Sequence, residues 1–372
     1  MTSPTLRRLL INGRFLSQTV TGAQRYAEEL VKALDRLLGQ EPRASRWSLE
    51  ILAPRNTNRR LSLKNIPLRE VGFLTGNAWE QLELPWHARG EWLFNPCNAM
   101  PYGHSRQITA IYDAVVFAHP EAFSFLFRAW RKPNQLAAGK IARAIITCSQ
   151  FSKDQLIRLC GFKEDKTRVV YPGIEHILSS PADDSIIKRN NLSQKPFILA
   201  VSTANRYKNF AAVDRLAQKL MDRGKNVSVV AAGGKNTRVF GHAGGQELSH
   251  VQHIGRPSNA ELRALYEAAA CFLFPSFYEG FGFPPLEAMA LGCPVIASSA
   301  ASIPEACGEA ALYCDPADDE DIFNQVCRVL DDAKLRENLR SRGLLRAQEF
   351  TWEKCAQESL KIFENIFMPG RD

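Results

Sequence analysis

Short apolar runs alternate with longer segments whose apolar residues recur at helical spacing. The runs predict buried strands, and the periodic segments predict helices at residues 23–38, 260–270 and 319–330. The predicted strands are 9–11, 49–53, 92–94, 108–112, 144–148, 197–201, 227–231, 271–274 and 295–297. Because strands and helices alternate throughout, the chain is expected to be an α/β protein with parallel sheets.

The alternation falls into two series, separated by a polar, proline-containing stretch near residues 179–195. A chain of 372 residues is also too long for one ordinary core. We therefore expect a first domain at 1–180 and a second at 181–348. The helical pattern of the last segment, 349–372, either completes the second domain or crosses back to the first.

Composition is typical of a soluble globular protein, with 45% hydrophobic and 23% charged residues. No run reaches the ~20 apolar residues of a membrane span, and the first residues lack the apolar stretch of a signal peptide. The nine cysteines are scattered, odd in number and without a C-x-x-C pair. They favour reduced thiols and a cytoplasmic location over disulfides or a zinc site.

The net charge of +8 is unevenly distributed. Residues 1–180 carry 25 Lys/Arg against 15 Asp/Glu, and residues 181–372 carry 22 against 24. The basic first half suggests either an anionic partner or simple solubility. A nucleic-acid-binding protein is a competing class, but no recognition motif accompanies the charge, and nucleic acid is not the expected partner.

The segment 274–287 contains the strongest chemical signal. A predicted strand leads into a loop with Glu279 and two glycines, and Glu287 follows at or just inside the start of a predicted helix. Backbone N–H groups at such a helix start can bind phosphate, and carboxylates can accept hydrogen bonds from sugar hydroxyls. The segment therefore predicts a nucleotide-sugar site. The alternative is a turn with two solvated glutamates.

Residues 275–297 resemble the E-x7-E signature of the family 4 retaining glycosyltransferases. The resemblance implies the GT-B fold, in which two Rossmann-like domains face each other across a cleft. It also implies that Glu279 faces the donor sugar and that Glu287 binds the ribose. The backbone expected to approach the sugar and phosphate is that of Gly280, Phe281 and Gly282.

Further segments of the second half resemble the same family. Residues 254–266 are similar to the segment in which the nucleotide base packs, which makes Ile254 a donor-binding candidate. Residues 302–308 and 350–352 resemble segments that follow the signature.

Arg206 and Lys208 lie in a loop directly after a predicted strand, where they could neutralise a diphosphate. The family commonly carries a basic pair there. In this chain Ser202 and Thr203 stand where many members have Gly-Arg, and Tyr207 separates the two basic residues. Lys208 is the preferred candidate, and a solvated basic turn is the alternative.

Two candidates lie in the first half. Gly22 would let the backbone approach a phosphate at a helix start, and it resembles the family's N-terminal glycine loop. Asp113 follows a predicted strand and is expected to orient or deprotonate the acceptor hydroxyl. Tyr112 replaces the histidine that related enzymes have before this aspartate. His119 is a weaker candidate for acceptor contact.

Residues 123–132 interleave aromatic side chains with Arg128, Arg131 and Lys132. This pattern suits an interfacial segment on an anionic membrane, and it suits equally a core helix with a basic outer face. Both alternatives stay open at this stage.

Asp319 and Asp321 spell the D-x-D motif of another glycosyltransferase fold. Because they lie in the first turn of a predicted helix, where acidic residues favour the macrodipole, a structural role is expected. No metal or other cofactor is predicted.

The sequence as a whole predicts a retaining transferase that moves a hexose from a nucleotide diphosphate sugar to a saccharide or lipid-linked saccharide. Resemblance favours mannose, from GDP-mannose, in polysaccharide biosynthesis. A same-face substitution without a covalent intermediate is the expected mechanism. An epimerase or hydrolase of the same fold is the alternative.

Overall fold

A computed structural model describes residues 7–40, 46–201, 205–233 and 249–367. Ser202 and Thr203 lie outside the described residues. The chain forms two compact units. Unit 1 comprises the described parts of Met1–Ala114, Ala129–Gly173 and Thr351–Asp372, and unit 2 those of Val115–Arg128 and Ile174–Phe350.

Each unit contains a sheet of parallel strands. The strands of unit 1 are β1 (Arg7–Asn12), β2 (Trp47–Ala53), β3 (Leu68–Glu70), β4 (Trp92–Asn95), β5 (Gln107–Ala110), β6 (Ala144–Thr147) and β7 (Thr167–Val169). Those of unit 2 are β8 (Phe197–Val201), β9 (Ser228–Ala232), β10 (Gln252–His253), β11 (Cys271–Phe274), β12 (Val295–Ser298) and β13 (Ala311–Cys314).

Most of the described helices lie between successive strands, and the last three follow β13. In chain order they are α1 (Gly22–Gln40), α2 (Gly76–Ala78), α3 (Leu84–His87), α4 (Val115–Ala118), α5 (Phe125–Ile141), α6 (Gln150–Cys160), α7 (Ser185–Arg189), α8 (Phe210–Asp222), α9 (Asn259–Ala268), α10 (Phe283–Ala290), α11 (Ile303–Cys307), α12 (Asp319–Asp331), α13 (Ala333–Ala347) and α14 (Trp352–Phe367). A π-helical turn, Trp79–Glu83, joins α2 to α3.

The sheet of unit 1 has the order β3-β2-β1-β4-β5-β6-β7. On β1, Leu9 pairs with Leu49 of β2 on one side and with Trp92 of β4 on the other. The central strands are almost entirely buried, as expected where helices cover both faces of a parallel sheet. The strand order reverses between β1 and β4.

The sheet of unit 2 has the order β10-β9-β8-β11-β12-β13, and it reverses between β8 and β11. Its core packs Leu273 of β11 and Ile296 of β12 against Val213 and Leu216 of α8. In open parallel sheets, ligands bind outside the carboxyl ends of the strands at such a reversal. The two sheets therefore each define one expected ligand position.

The predicted α/β class is confirmed, and each predicted strand overlaps an observed one. The strands β3, β7, β10 and β13 were not predicted. β3, β7 and β10 are only two or three residues long, and they carry charged or exposed residues such as Arg69, Arg168 and Gln252. Such short strands lack a period that could be recognised in a sequence.

Helix α14 packs in unit 1, although it is the last element of the chain. Its Phe363 is fully buried, with ring centroids 5.0 Å from Phe94 and 6.1 Å from Trp47. Trp352 packs edge-on against Tyr26 of α1 at 5.6 Å. The last helix is thus part of the first core.

The units divide at Gly173–Ile174, whereas the sequence prediction puts the boundary near residue 180. Residues 115–128 also differ from the prediction, because they belong to unit 2 although they lie within the predicted first domain. Their side chains pack there: the Phe123 ring lies 6.2 Å from that of Tyr207.

All nine cysteines are free, and seven of them are buried. Among the described residues, no helix is both long and apolar enough to cross a membrane.

Candidate functional site

A cluster of polar side chains in unit 2 lies where the strand order of its sheet reverses, between β8 and β11. The loop after β8 carries Lys208, and the loop after β11 carries Glu279. The Phe277 N–H donates to the Tyr207 carbonyl at 2.8 Å, which ties the two loops together. Both loops lie at the carboxyl edge, where an open parallel sheet binds ligands.

Lys208 and Glu279 form a largely buried ion pair. The Lys208 Nζ lies 2.6 Å from both Glu279 carboxylate oxygens, and the side chains are 15% and 10% exposed. A buried ion pair contributes little net stability because desolvation offsets its attraction. The pair is therefore weak evidence for a role in stability alone.

The turn after Glu279 is held by one hydroxyl group. The Ser302 Oγ lies 2.9 Å from the Glu279 carbonyl and 3.0 Å from the Phe281 carbonyl, and its single hydroxyl proton is shared between these two acceptors. Gly282 follows with φ of +114°, a backbone conformation that residues with a Cβ rarely adopt. The turn is thereby fixed before any ligand arrives.

Helix α10 begins at Phe283, directly after this turn. Glu287 is therefore one turn inside the helix, and the prediction that it lies at or just inside the helix start is wrong. The pattern was misleading because Pro284 and Pro285 look like loop residues, yet proline is well accommodated in a first turn. Two of the first four positions consequently lack an N–H group, which leaves fewer backbone donors for an anion.

Glu287 is 7% exposed and is contacted from two other elements. Its Oε1 lies 2.8 Å from the Nε2 of His176, in the short helical turn Glu175–Leu178. Its Oε2 accepts a hydrogen bond of 3.2 Å from the Tyr266 hydroxyl of α9. Burial, with the Glu287 charge beside it, raises the pKa of Tyr266 well above its usual value, so this phenol remains a donor.

Arg206 is exposed, in contrast to the half-buried Lys208. Asn209 follows Lys208 and directly precedes α8. Its φ of +55° turns the chain into this helix. The Asn209 amide donates to the Pro316 carbonyl at 2.7 Å and fixes this turn. Lys208 thus lies next to the N-terminus of the 13-residue helix α8, where the macrodipole favours an anion.

Aromatic rings surround the lysine loop. Tyr207 stacks against His119 with a centroid distance of 6.0 Å, and the Lys208 ammonium lies 5.1 Å from the Tyr207 ring. His119 also packs edge-on against Tyr278 at 5.4 Å. His119, which was a weaker acceptor candidate, therefore lies beside the Lys208 loop within unit 2.

Ile254 follows β10 at the same carboxyl edge. Its N–H donates to the Ala231 carbonyl of β9 at 3.0 Å, and its side chain is half-buried. Gly255, with φ of +72°, turns the chain away immediately afterwards. The residue is thus placed where a flat ring could pack against it.

In unit 1, Asp113 lies in the loop after β5 and Gly22 lies at the start of α1, and both follow the carboxyl end of a strand of the other sheet. Asp113 follows β5 and is half-buried, and its carbonyl accepts a 2.6 Å hydrogen bond from Gln135. Gly22 is exposed at the first position of α1. Tyr112 is a core residue instead: its ring lies 4.6 Å from Tyr26 and its hydroxyl donates to the Pro96 carbonyl.

Residues 123–132 match neither predicted alternative completely. Phe125 and Leu126 are 73% and 80% exposed, which a core helix would not allow. Arg131 is not on an outer basic face, because its guanidinium donates to the Asn98 carbonyl. Burial lowers the pKa of Arg131 from its usual value, and the Asp113 carboxylate opposes this effect. The exposed part of this segment is therefore apolar.

The acidic residues of the D-x-D motif have structural partners. Asp319 accepts two hydrogen bonds from Arg215, at 2.5 and 2.8 Å, and Asp321 accepts one from the Asp315 N–H at 2.7 Å. Asp318 caps α12. In the described part of the chain, no group of three or more His, Cys, Asp or Glu side chains is arranged to hold a metal ion.

Comparison with known proteins finds a family match for part of this chain. Residues 182–346, which include Lys208, Glu279 and Glu287, match the family described as Glycosyl transferases group 1. The sequence prediction of a glycosyltransferase is confirmed.

Two curated relatives are mannosyltransferases. The O-antigen chain mannosyltransferase B of Escherichia coli is 29% identical over 273 residues, which cover 71% of this chain and 72% of that protein. The MMP alpha-(1->4)-mannosyltransferase of Mycolicibacterium hassiacum is 27% identical over 256 residues, covering 64% and 60%. The match therefore spans less than two thirds of this second relative.

Solved structures agree on the fold. Sucrose-phosphate synthase from Thermosynechococcus elongatus superposes with a TM-score of 0.71 at 20% identity, covering 97% of this chain and 99% of the other. HepE from Anabaena, solved with UDP-glucose, gives 0.69 at 16% identity, covering 96% and 99%. The predicted GT-B fold is confirmed.

Proposed function

We propose that this glycosyltransferase moves a mannosyl residue from GDP-mannose to a saccharide or lipid-linked saccharide, with retention of anomeric configuration. The Lys208–Glu279 pair at the reversal of the unit 2 sheet is the observation that carries the proposal. The choice of mannose is supported by the two mannosyltransferase relatives.

In this proposal the donor is bound along the carboxyl edge of unit 2. Ile254 packs against the base, Glu287 accepts hydrogen bonds from the ribose, and Glu279 faces the hydroxyls of the sugar. The backbone of Gly280, Phe281 and Gly282 approaches the sugar and the phosphates, since the turn is already fixed by Ser302.

The main charge that develops during the reaction is the negative charge on the departing diphosphate. Lys208, with exposed Arg206 as a second cation, and the N-terminus of α8 supply positive charge that is in place before the reaction. The sugar carbon acquires oxocarbenium character, and the acceptor oxygen attacks the face from which the diphosphate leaves.

Unit 1 is proposed to bind the acceptor. Asp113 would orient or deprotonate its hydroxyl, and Gly22 would let the backbone of the first loop approach an anionic group. The basic balance of residues 1–180 supports an acceptor that carries negative charge, such as a lipid-linked diphosphate saccharide.

Thermal unfolding with a panel of nucleotide sugars tests the donor. A ligand that binds only the native state at a hundredfold excess over Kd adds about 2.7 kcal/mol to stability. We expect GDP-mannose to raise Tm and sugar transfer to a membrane lipid extract to give an α-linked product. Turnover of GDP-mannose to a free epimer or free sugar without acceptor would instead identify the epimerase or hydrolase alternative.

Transfer is expected to continue after divalent metals are removed. The charge on the diphosphate is met by Lys208 and helix α8, and Asp319 is already paired with Arg215. The measurement is transfer rate after dialysis against EDTA, compared with the same enzyme resupplied with Mg²⁺ or Mn²⁺. A rate that disappears with EDTA and returns only with metal would contradict this prediction.

We further propose that Phe125 and Leu126 contact an anionic membrane at its cytoplasmic face. Large exposed apolar side chains are favoured at such an interface, and a lipid-linked acceptor would reside there. The variant Phe125→Ser/Leu126→Ser is expected to bind phosphatidylglycerol vesicles several-fold more weakly in a flotation assay.

The matched control for this membrane contact is Met221→Ser/Leu345→Ser, which removes two apolar side chains that are 60% and 67% exposed elsewhere in unit 2. Equal losses in both variants, or no vesicle binding by the unmodified chain, would contradict the proposed contact.

A further inference from the structure

The Glu287 carboxylate is held from two sides by side chains of separate elements. His176 contacts Oε1 at 2.8 Å, and Tyr266 donates to Oε2 at 3.2 Å. The His176 contact spans 111 positions of the chain. Neither partner belongs to the segment that resembles the glycosyltransferase signature, and neither has a role in the proposed reaction so far.

The side chains of Glu287, His176 and Tyr266 are buried to increasing degrees. The Glu287 side chain is 9% exposed, that of His176 is 3% exposed, and Tyr266 is fully buried. A ligand at the carboxyl edge can therefore reach Glu287 but not the two groups that contact it. His176 and Tyr266 can act on such a ligand only through the carboxylate.

The segment that carries His176 is itself anchored. Arg263 of α9 donates to the carbonyls of Leu178 and Ser180, at 3.1 and 3.0 Å. The His176 ring packs edge-on against Phe283, the first residue of α10, with centroids 5.8 Å apart. The imidazole is thus fixed relative to both the helix that carries Glu287 and the helix that carries Tyr266.

We propose that His176 is a positioning residue for the donor ribose: with Tyr266, it holds the Glu287 carboxylate in one orientation for the ribose hydroxyls. This inference rests on the proposed function. A glutamate has three rotatable bonds, and fixing it in advance removes an ordering cost that ligand binding would otherwise bear. A hydrogen bond to a carboxylate also offsets the cost of burying its charge.

The ligands that test this role are GDP and UDP, together with the 2′,3′-dideoxy analogue of whichever nucleotide the unmodified chain binds. Isothermal titration calorimetry gives Kd without an acceptor. His176→Phe keeps a ring against Phe283 but removes the contact with Glu287, whereas His176→Gln retains an N–H donor. His250→Phe is the control, because His250 contacts Asp214 elsewhere in unit 2.

We expect His176→Phe to raise the Kd of the ribonucleotide about 10- to 100-fold, the effect of losing one hydrogen bond to a charged group. His176→Gln and His250→Phe should stay within about threefold of the unmodified chain, a change of less than 1 kcal/mol. The dideoxy analogue should bind the unmodified chain and His176→Phe equally, because it has no ribose hydroxyls for Glu287. In turnover assays the donor KM should rise and kcat should change little.

An equal penalty for the ribonucleotide and its dideoxy analogue would overturn the inference, because it would show that His176 only maintains the local fold. An unchanged Kd for the ribonucleotide would also overturn it. If His176→Phe does not fold, Tyr266→Phe replaces it, with a smaller loss that is again confined to the ribonucleotide. Failure of the unmodified chain to bind either nucleotide would instead reject the proposed function.

Discussion

The variant Lys208→Met is expected to lower kcat by about 100- to 1,000-fold, the range seen when one preorganised charged donor is removed from a transition state. The Lys208 ammonium is fixed by Glu279 at 2.6 Å and lies beside the N-terminus of α8. The diphosphate would have to leave without this charge. Steady-state transfer from GDP-mannose measures the effect.

Two control variants show whether the fall in kcat is specific to Lys208 or follows from removing any cation of unit 2. Lys219→Met removes another ion-paired lysine of unit 2, which contacts Glu320, and it should leave kcat unchanged. Arg206→Met removes an exposed cation of the same loop and should have a smaller effect than Lys208→Met. Circular dichroism checks the fold, because Lys208→Met leaves Glu279 without its cation. A folded Lys208→Met enzyme with near-normal turnover would reject the role of this lysine.

The variant Glu279→Gln is expected to lower kcat/KM for the donor by about 100-fold or more, because two functions are lost together. The amide no longer fixes the Lys208 ammonium, and it is a weaker acceptor for the sugar hydroxyls than a carboxylate. The shape of the side chain is kept, so the turn at Gly282 should be unaffected. Donor kinetics of the folded variant measure the loss.

The double variant Lys208→Met/Glu279→Gln shows whether the two residues act as a unit. Residues in direct contact are not additive, so the double variant should be little worse than the more severe single variant. Asp331→Asn, which removes the partner carboxylate of Lys225, is the control. Fully additive losses would mean that Lys208 and Glu279 act independently, which would contradict the proposed site.

The sequence predicts the two sheets about equally well, since two strands of each were not predicted, but the loops of unit 2 carry more recognisable residues than those of unit 1. The strand Cys271–Phe274 and the helix after it are local patterns, and Glu279 and Glu287 are only eight positions apart in the chain. The turn between them depends on Gly282, whose positive φ requires glycine. Each of these features can be recognised within a short window.

Contacts between distant segments could not be predicted in this way. His176 lies in the short turn Glu175–Leu178, just before the predicted domain boundary, and no spacing indicates that it meets Glu287. The start of α10 was predicted too late in the chain, because Pro284 and Pro285 in its first turn look like loop residues. Residues 115–128 belong to unit 2, which differs from the predicted first domain for a related reason: the stacking of His119 on Tyr207 exists only in the folded chain.

The place of α14 in unit 1 has a consequence for synthesis on the ribosome. At about 5–20 residues per second, roughly 10–35 s pass between translation of Gly173 and that of Trp352. Until then Phe94 and Tyr26 lack the aromatic side chains that cover them. Unit 2, which is complete at Phe350, can therefore finish folding before the unit that precedes it in the chain. Until α14 has been synthesised, the nascent first unit must stay soluble although the part of its core that α14 covers is exposed to solvent.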